Sequence, residues 1–260
     1  MQLSIIKIGG NIIDDEAKLA AFLDAFAAVP GKKILVHGGG KLATRVAEGL
    51  GIQQQLVDGR RITDAETLRV VTMVYAGTIN KNIVAQLQAR GCDAIGLTGA
   101  DGNSILSHRR VHASIDYGFV GDVDQVNTPL LTSLLLQDKT IAFAPITHDG
   151  KGQLLNTNAD TIAQELARAL STGFEVSLVY SFEKAGVLMD ADDNSSVIGL
   201  LRPAEYADLK TRKVIFAGMI PKLDNAFAAL RSGVSRVIIG RAEELPLLLA
   251  GKAGTTIQHE

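Results

Sequence analysis

Apolar and polar positions fall in alternating blocks along this chain. Residues 3–8, Leu-Ser-Ile-Ile-Lys-Ile, are apolar and rich in β-branched side chains, which predicts a buried strand. An amphipathic stretch over 14–28 follows, with Asp14 or Asp15 placed to cap a helix. The pattern then repeats as a strand at 33–37 and a helix at 41–50. A long run over 64–90 carries apolar residues at helical spacing, with Gly91 as its terminator. Further buried strands are predicted at 93–98, 140–146, 174–180 and 235–239. Two stretches break the alternation: 109–126 reads as hairpin-forming strands, and the acid-rich 189–196 as an exposed turn. Strands alternating with helices imply a mainly parallel central sheet with helices on both faces, a three-layer α/β/α sandwich. A boundary falls near Gly173, but no Pro- or Ser-rich linker marks it, so two lobes sharing one sheet fit better than separated domains.

Composition narrows the class. A net charge of -2 supplies no basic field for nucleic acid, and few aromatics with no tryptophan leave no stacking platform. The single cysteine, Cys92, excludes an intrachain disulfide and a cysteine-built zinc site, and suits a reducing compartment. There is no run of membrane-spanning length and no signal-peptide pattern at the N-terminus. The expectation is a cytoplasmic protein without nucleic-acid or membrane partners.

The candidate chemistry sits at strand ends. Lys7 is followed by Gly9-Gly10, and His37 by Gly38-Gly39-Gly40. Ligands of open α/β sheets bind at the carboxyl ends of strands, where clustered N–H groups and helix N-termini attract anions. The spacing matches neither a P-loop nor a dinucleotide fingerprint. His37 reads more readily as a structural histidine beside a tight turn than as a base. Arg60 and Arg61 could clamp a carboxylate, or simply be solvated. In Asn156-Thr157-Asn158-Ala159-Asp160, Asn158 is a candidate cap and Asp160 lies in the first helical turn, a position that helix-start chemistry alone explains. Lys222 follows Pro221 at another helix start, where a cation is electrostatically misplaced unless it serves an anionic ligand. Two such lysines, two glycine turns and one acid point to phosphate handling.

In order, K-I-G-G, V-H-G-G-G, D-G-R-R-I-T, N-T-N-A-D and A-G-M-I-P-K resemble the amino-acid kinase superfamily, and within it the N-acetylglutamate kinase family. The likeness runs from residue 3 to residue 257 and takes in Y-A-G-T-I-N-K at 75–81 and G-D-V-D-Q-V-N at 121–127. It implies the amino-acid kinase fold, with a lobe over 1–173 for the acylglutamate and dimerisation and a nucleotide lobe over 174–260. It implies ATP as phosphoryl donor, with Mg²⁺ held through the ATP phosphates and water. The reaction implied is phosphorylation of the γ-carboxylate of an N-acyl-L-glutamate, N-acetyl-L-glutamate, in arginine biosynthesis. Lys7, Lys222 and Asp160 would be catalytic. Lys7, Gly9, Gly10, Ser181, Gly186, Gly218 and Lys222 would bind the nucleotide. Gly38, Gly39, Arg61 and Asn156 would bind the acylglutamate. The chain's start at its first strand implies a homodimer without the interlocking N-terminal helix of arginine-inhibited relatives, and the 64–90 segment is a candidate dimer contact.

Three departures from the family pattern stand out. Residues 181–187, Ser-Phe-Glu-Lys-Ala-Gly-Val, lack the usual aspartate and run one residue longer. Ala217 replaces the first glycine of G-G-M. Arg60 stands where an uncharged residue is usual, a possible acyl-group selector that would pair the extra carboxylate of N-succinyl-L-glutamate. An acylaminoadipate kinase and a catalytically silent nucleotide-binding regulatory subunit are the other readings.

Overall fold

The computed structural model describes residues 1–260 apart from 58, 59, 183, 191, 192, 194, 213, 216–218 and 260. Its strands are β1 Gln2–Ile8, β2 Lys32–His37, β3 Leu56–Val57, β4 Arg60–Arg61, β5 Ala94–Leu97, β6 Ile105–Arg109 and β7 Gly121–Val126. The second half adds β8 Thr140–Phe143, β9 Ile146–His148, β10 Leu154–Asn156, β11 Glu175–Phe182, β12 Leu200–Leu201, β13 Arg236–Arg241 and β14 Thr255–Ile257. The helices are α1 Gly10–Ile13, α2 Glu16–Ala27, α3 Gly40–Gly49, α4 Ala65–Val71, α5 Asn80–Ala89, α6 Thr128–Leu136, α7 Ala159–Leu170, α8 Pro203–Thr211, α9 Ile220–Arg231 and α10 Leu245–Leu249. No helix among the described residues is long and apolar enough to cross a membrane.

Eight strands form the central sheet, in the order β12-β14-β13-β11-β1-β2-β8-β5. Every pair in it is parallel except β13–β14. A smaller sheet, β10-β9-β6-β7, stands beside it. Both faces of the large sheet are covered, as continuous apolar strands require. Ile5, Val36, Phe143 and Leu178 face one core, with α6, α7 and α9. Ile6, Ile8, Leu35 and Val179 face the other, with α2, α5 and the segment around Tyr75.

The two-residue period of a strand places Lys7. It shares a face with Leu3 and Ile5, the face that α7 covers. Five buried residues of α7 pack there, Ile162, Ala163, Leu166, Ala167 and Leu170. Burial of each of the larger ones contributes roughly 2 kcal/mol. That packing holds the start of α7 against the carboxyl end of β1.

Three elements differ from the sequence pattern. The strand predicted at 140–146 is two strands in different sheets. Pro145, which has no N–H for the ladder, separates β8 from β9, and Ile146 N turns back to Ala144 O at 2.9 Å. The helix predicted at 14–28 is the short α1 followed by α2, which Asp15 caps by accepting from Lys18 N. The run over 64–90 is continuous, but Thr72–Ile79 between α4 and α5 is π-helical. Its end follows expectation: Gly91 has φ +75°, and Cys92 N closes onto Leu87 O at 3.0 Å. The stretch predicted as hairpin strands at 109–126 supplies only β7 at its end; the antiparallel partner β6 lies upstream, at Ile105–Arg109, with an irregularity between Leu106 and Ser107. The 189–196 turn is closed by Met189 N on Ser196 O, although 191, 192 and 194 lie outside the described residues.

Candidate active site

β1 and β2 run parallel with Ile8 level with His37, so their two glycine turns emerge side by side. Gly39 takes φ +145°, a backbone shape that side chains oppose. A Cβ there would stand 2.2 Å from Ile79 Cδ1, so the turn lies tight against the π-helical stretch.

Lys7, the penultimate residue of β1, lies between Val36 and Tyr180 in register. Its Nζ lies 2.7 Å from Asp160 Oδ1. Asn158 fixes the start of α7 by accepting from the N–H groups of Asp160 and Thr161 at 2.8 and 3.2 Å. Lys222 enters from the other half of the chain, in the first turn of α9. Burial lowers its pKa below the ordinary lysine value, Asp160 opposes that shift, and the Lys7 charge adds to it. Lys7, Asp160 and Lys222 thus act on one another electrostatically, although three distant segments supply them.

Two cavities share Gly9 and Gly10 as a common wall. The larger, about 1110 Å³, is lined by Lys41, Ser181, Lys184, Gly186, Met219 and Lys222, among others. The smaller, about 270 Å³, holds Lys7, Asp160, the Gly38–Gly40 turn, Arg61, Tyr75, Arg110 and Asn156. The first has room for a nucleotide and the second for a small amino-acid derivative. Ser181 is almost fully buried, and its hydroxyl has no hydrogen-bond partner among the described residues. A polar atom left so beside a cavity is a place for a ligand or water.

In the smaller cavity, Arg61 Nη2 donates to Gly40 O at 3.0 Å and to Thr44 Oγ1 at 2.9 Å, while Nη1 donates to Gln54 Oε1. Asn156 Nδ2 donates to Thr63 Oγ1 at 3.0 Å. Arg110 grips Asp122 through Nε, at 3.1 Å to each oxygen, and through Nη2. His37 is fully buried and lines neither cavity. Asn80 Nδ2 donates to His37 Nε2 at 3.1 Å and to Ala142 O at 2.9 Å. Nε2 is therefore an acceptor, and the imidazole proton sits on Nδ1, 2.9 Å from Gly38 O. Burial drives the His37 pKa down to about 4, the Gly38 hydrogen bond opposes, and Lys81 lowers it further. A neutral imidazole holding a glycine turn is the structural role anticipated for it.

Comparison with known proteins agrees with this arrangement. Residues 2–241 match the amino acid kinase family. An acetylglutamate kinase of Cytophaga hutchinsonii is 59% identical over 95% of this chain and 94% of its own length. One of Phocaeicola vulgatus is 55% identical over 94% and 95%. The chain belongs to the acetylglutamate kinase family. Among solved structures, N-acetylglutamate synthase from Neisseria gonorrhoeae, complexed with coenzyme A and N-acetyl-glutamate, superposes with a TM-score of 0.83. At 24% identity, covering 100% of this chain and 60% of that one, it shares the fold.

Most of the residues that the family pattern singles out converge. Lys7, Gly9, Gly10, Gly38, Gly39, Arg61, Asn156 and Asp160 line the smaller cavity. Ser181, Gly186 and Lys222 line the larger one. Gly186 also has a packing reason to be glycine, since a Cβ would lie 2.7 Å from Thr255 Oγ1. Gly218, Ala217, Glu183 and the Asp58-Gly59 turn lie outside the described residues, as does the side chain of Arg60. The sequence reading missed Tyr75, Arg110 and Lys41. Tyr75 stands in the Y-A-G-T-I-N-K stretch and Lys41 directly follows the second glycine turn, so neighbouring motifs could have flagged both. Arg110 lies in a hairpin segment with no local signal.

Proposed function

We propose that this chain transfers the γ-phosphoryl group of ATP to the side-chain carboxylate of N-acetyl-L-glutamate, forming the acyl phosphate of arginine biosynthesis. The observation that carries this reading is the Lys7–Asp160 pair at 2.7 Å in the smaller cavity, which shares its Gly9–Gly10 wall with the larger one. A glutamate γ-carboxylate has a pKa of about 4.3, so it is an ionised nucleophile at neutral pH and needs no general base. The difficulty is bringing one anion onto another. Cations and positioning must overcome it.

Lys7 and Lys222 neutralise the transferring phosphoryl group from its two sides, and Asp160 orients the lysines. The N–H groups around Gly9, Gly10 and Gly39 receive phosphate oxygens. Arg61 binds the α-carboxylate, and Asn156 supports that end of the acceptor. Ser181 and Gly186 belong to the nucleotide side. Mg²⁺ would be held through the ATP phosphates and water, where it would screen their charge. Residues 1–173 form the acceptor and dimer lobe and 174–260 the nucleotide lobe of a cytoplasmic homodimer, with the α4–α5 segment as the contact.

Trapping the product with hydroxylamine tests the reaction: ATP-dependent hydroxamate from N-acetyl-L-glutamate is expected, and its absence in a folded, ATP-binding protein sinks the assignment in favour of a silent subunit. One observation favours N-succinyl-L-glutamate as a second acceptor. Arg110 lines the small cavity, and its Nη1 makes no hydrogen bond to a described residue. A methyl group needs no cation, whereas a succinyl carboxylate does. Parallel assays decide it: equal or better turnover of the succinyl acceptor supports the second reading, and strict preference for acetyl removes it. An N-acylaminoadipate acceptor belongs in the same assay.

A further inference from the structure

Tyr75 is a buried titratable group that the reaction outlined above does not use. It is 6% exposed and sits in the middle of the π-helical stretch. A π turn inserted in a long helix commonly marks a functional position. Here it delivers the tyrosine ring to the Gly39 turn, where a Cβ on Gly39 would meet the ring at 3.3 Å. Tyr75 lines the smaller cavity together with Arg61, and not the larger one.

The hydrogen-bond count around Arg61 matters most. A guanidinium has five N–H donors, and three protein oxygens already draw on them: Gly40 O, Thr44 Oγ1 and Gln54 Oε1. A carboxylate docking on Arg61 therefore finds few donors left, although its two oxygens can accept about four hydrogen bonds. Arg61 and Tyr75 line the same cavity, and the Arg61 charge acts on the Tyr75 phenol. A phenolic oxygen can accept from Arg61 and still donate its own proton. No acceptor for that proton is recorded among the described residues. Burial raises the phenol's pKa, with Arg61 opposing, so the group remains protonated and able to donate.

We propose that Tyr75 is a substrate-contacting, specificity-determining residue of the acceptor site: Arg61 donates to its phenolic oxygen, and its O–H donates to the α-carboxylate that Arg61 binds. This rests on the small cavity being the acceptor site of the kinase reaction. Tyr75 then supplies the donor that Arg61 lacks, and acceptors without an α-carboxylate are rejected because the phenol and guanidinium would be left facing an empty position.

Tyr75→Phe removes the hydroxyl alone. With N-acetyl-L-glutamate its KM should rise about tenfold or more, the scale for losing a hydrogen bond to a charged group. Turnover and the KM for ATP should stay within about twofold of native, as for an interaction equally present in ground and transition states. With 4-acetamidobutanoate, which keeps the reacting carboxylate but lacks the α-carboxylate, the variant should perform as well as native protein or better, because no hydroxyl is left unpaired. Tyr75→Met, which fills the wall without an oxygen, should match the Phe variant. Equal losses on both acceptors, or a fall in turnover at unchanged KM, would assign Tyr75 to packing and overturn the proposal. So would an unaltered KM. Calorimetric titration of N-acetyl-L-glutamate without ATP separates this from failure of the kinase assignment. If native protein shows no turnover yet binds this acid and Tyr75→Phe does not, the contact stands and the reaction falls. If native protein does not bind it, both fall.

Discussion

Acidification should destabilise this protein through His37 in a measurable way. The imidazole is fully buried with a pKa of about 4, against about 6.5 in an unfolded chain. Charging it would place a proton on Nε2, facing the Asn80 amide donor, which also holds Ala142 O. Turning the amide over would forfeit that bond and set the Asn80 donors against Lys81, whose ammonium now donates to Oδ1 at 3.1 Å. Above the unfolded pKa both states are neutral at this position, and His37 contributes no pH dependence. As pH falls below it, the unfolded chain binds a proton that the folded one refuses, so stability is lost until the folded pKa is reached. Between pH 7 and pH 5 the loss attributable to this group is about 2 kcal/mol, approaching about 3 kcal/mol at still lower pH. Carboxylates begin to titrate there too, so the measurement is a difference. Urea unfolding at both pH values is compared between native protein and His37→Gln, which cannot titrate. The variant is expected to be less stable at pH 7 and to lose about 2 kcal/mol less on going to pH 5. Identical acid sensitivity in the two proteins would refute the buried-neutral account.

Lys7→Ala and Lys222→Ala should each lower turnover on the order of 100-fold or more in the hydroxamate assay, the scale for losing a transition-state charge partner; a folded variant with native turnover takes that lysine out of the mechanism. Gly39→Ala should cost about 2 kcal/mol or more in urea unfolding, because φ +145° and the contact with Ile79 must both be relieved; a loss of a few tenths would contradict the tight approach. Burial lowers the Lys222 pKa and a polyphosphate restores its charge, so nucleotide binding at alkaline pH should take up protons and weaken as pH rises. Calorimetry in buffers of different ionisation heat measures the uptake, which Lys222→Ala should reduce.

The parts of this fold legible in the sequence were local ones. Strands β1 and β2 with their glycine turns, the Asn158 cap and the Gly91 terminator each depend on a few adjacent residues. Pro145 was visible too, but its transfer of β9 to a second sheet depends on what β6 and β10 offer as partners. The π-helical turn has no signature of its own, because it answers to how Tyr75 and Ile79 fit over Gly39. The two lysines were suspected as misplaced cations, Asp160 was explicable by helix-start chemistry alone, and a family likeness linked the three. Their approach to 2.7 Å, and the meeting of Arg61 with Tyr75, arise from tertiary packing that no spacing encodes.

Strand β1 precedes every other strand along this sequence, yet it lies in the middle of the large sheet, between β2 and β11. β2 is made soon after it, but β11 begins only at Glu175. A nascent chain therefore carries β1 with one open, apolar edge through most of its translation, a surface suited to pairing with the wrong strand or another chain. Six register positions, Gln2 to Lys7 against Glu175 to Tyr180, close that edge in one step. Lys7 is the last residue of that ladder, so the cation at the centre of the site is seated only when β11 has paired with β1. A prematurely terminated chain would then be both adhesive and inert, which makes the late arrival of β11 the point where a chaperone would matter most for this enzyme.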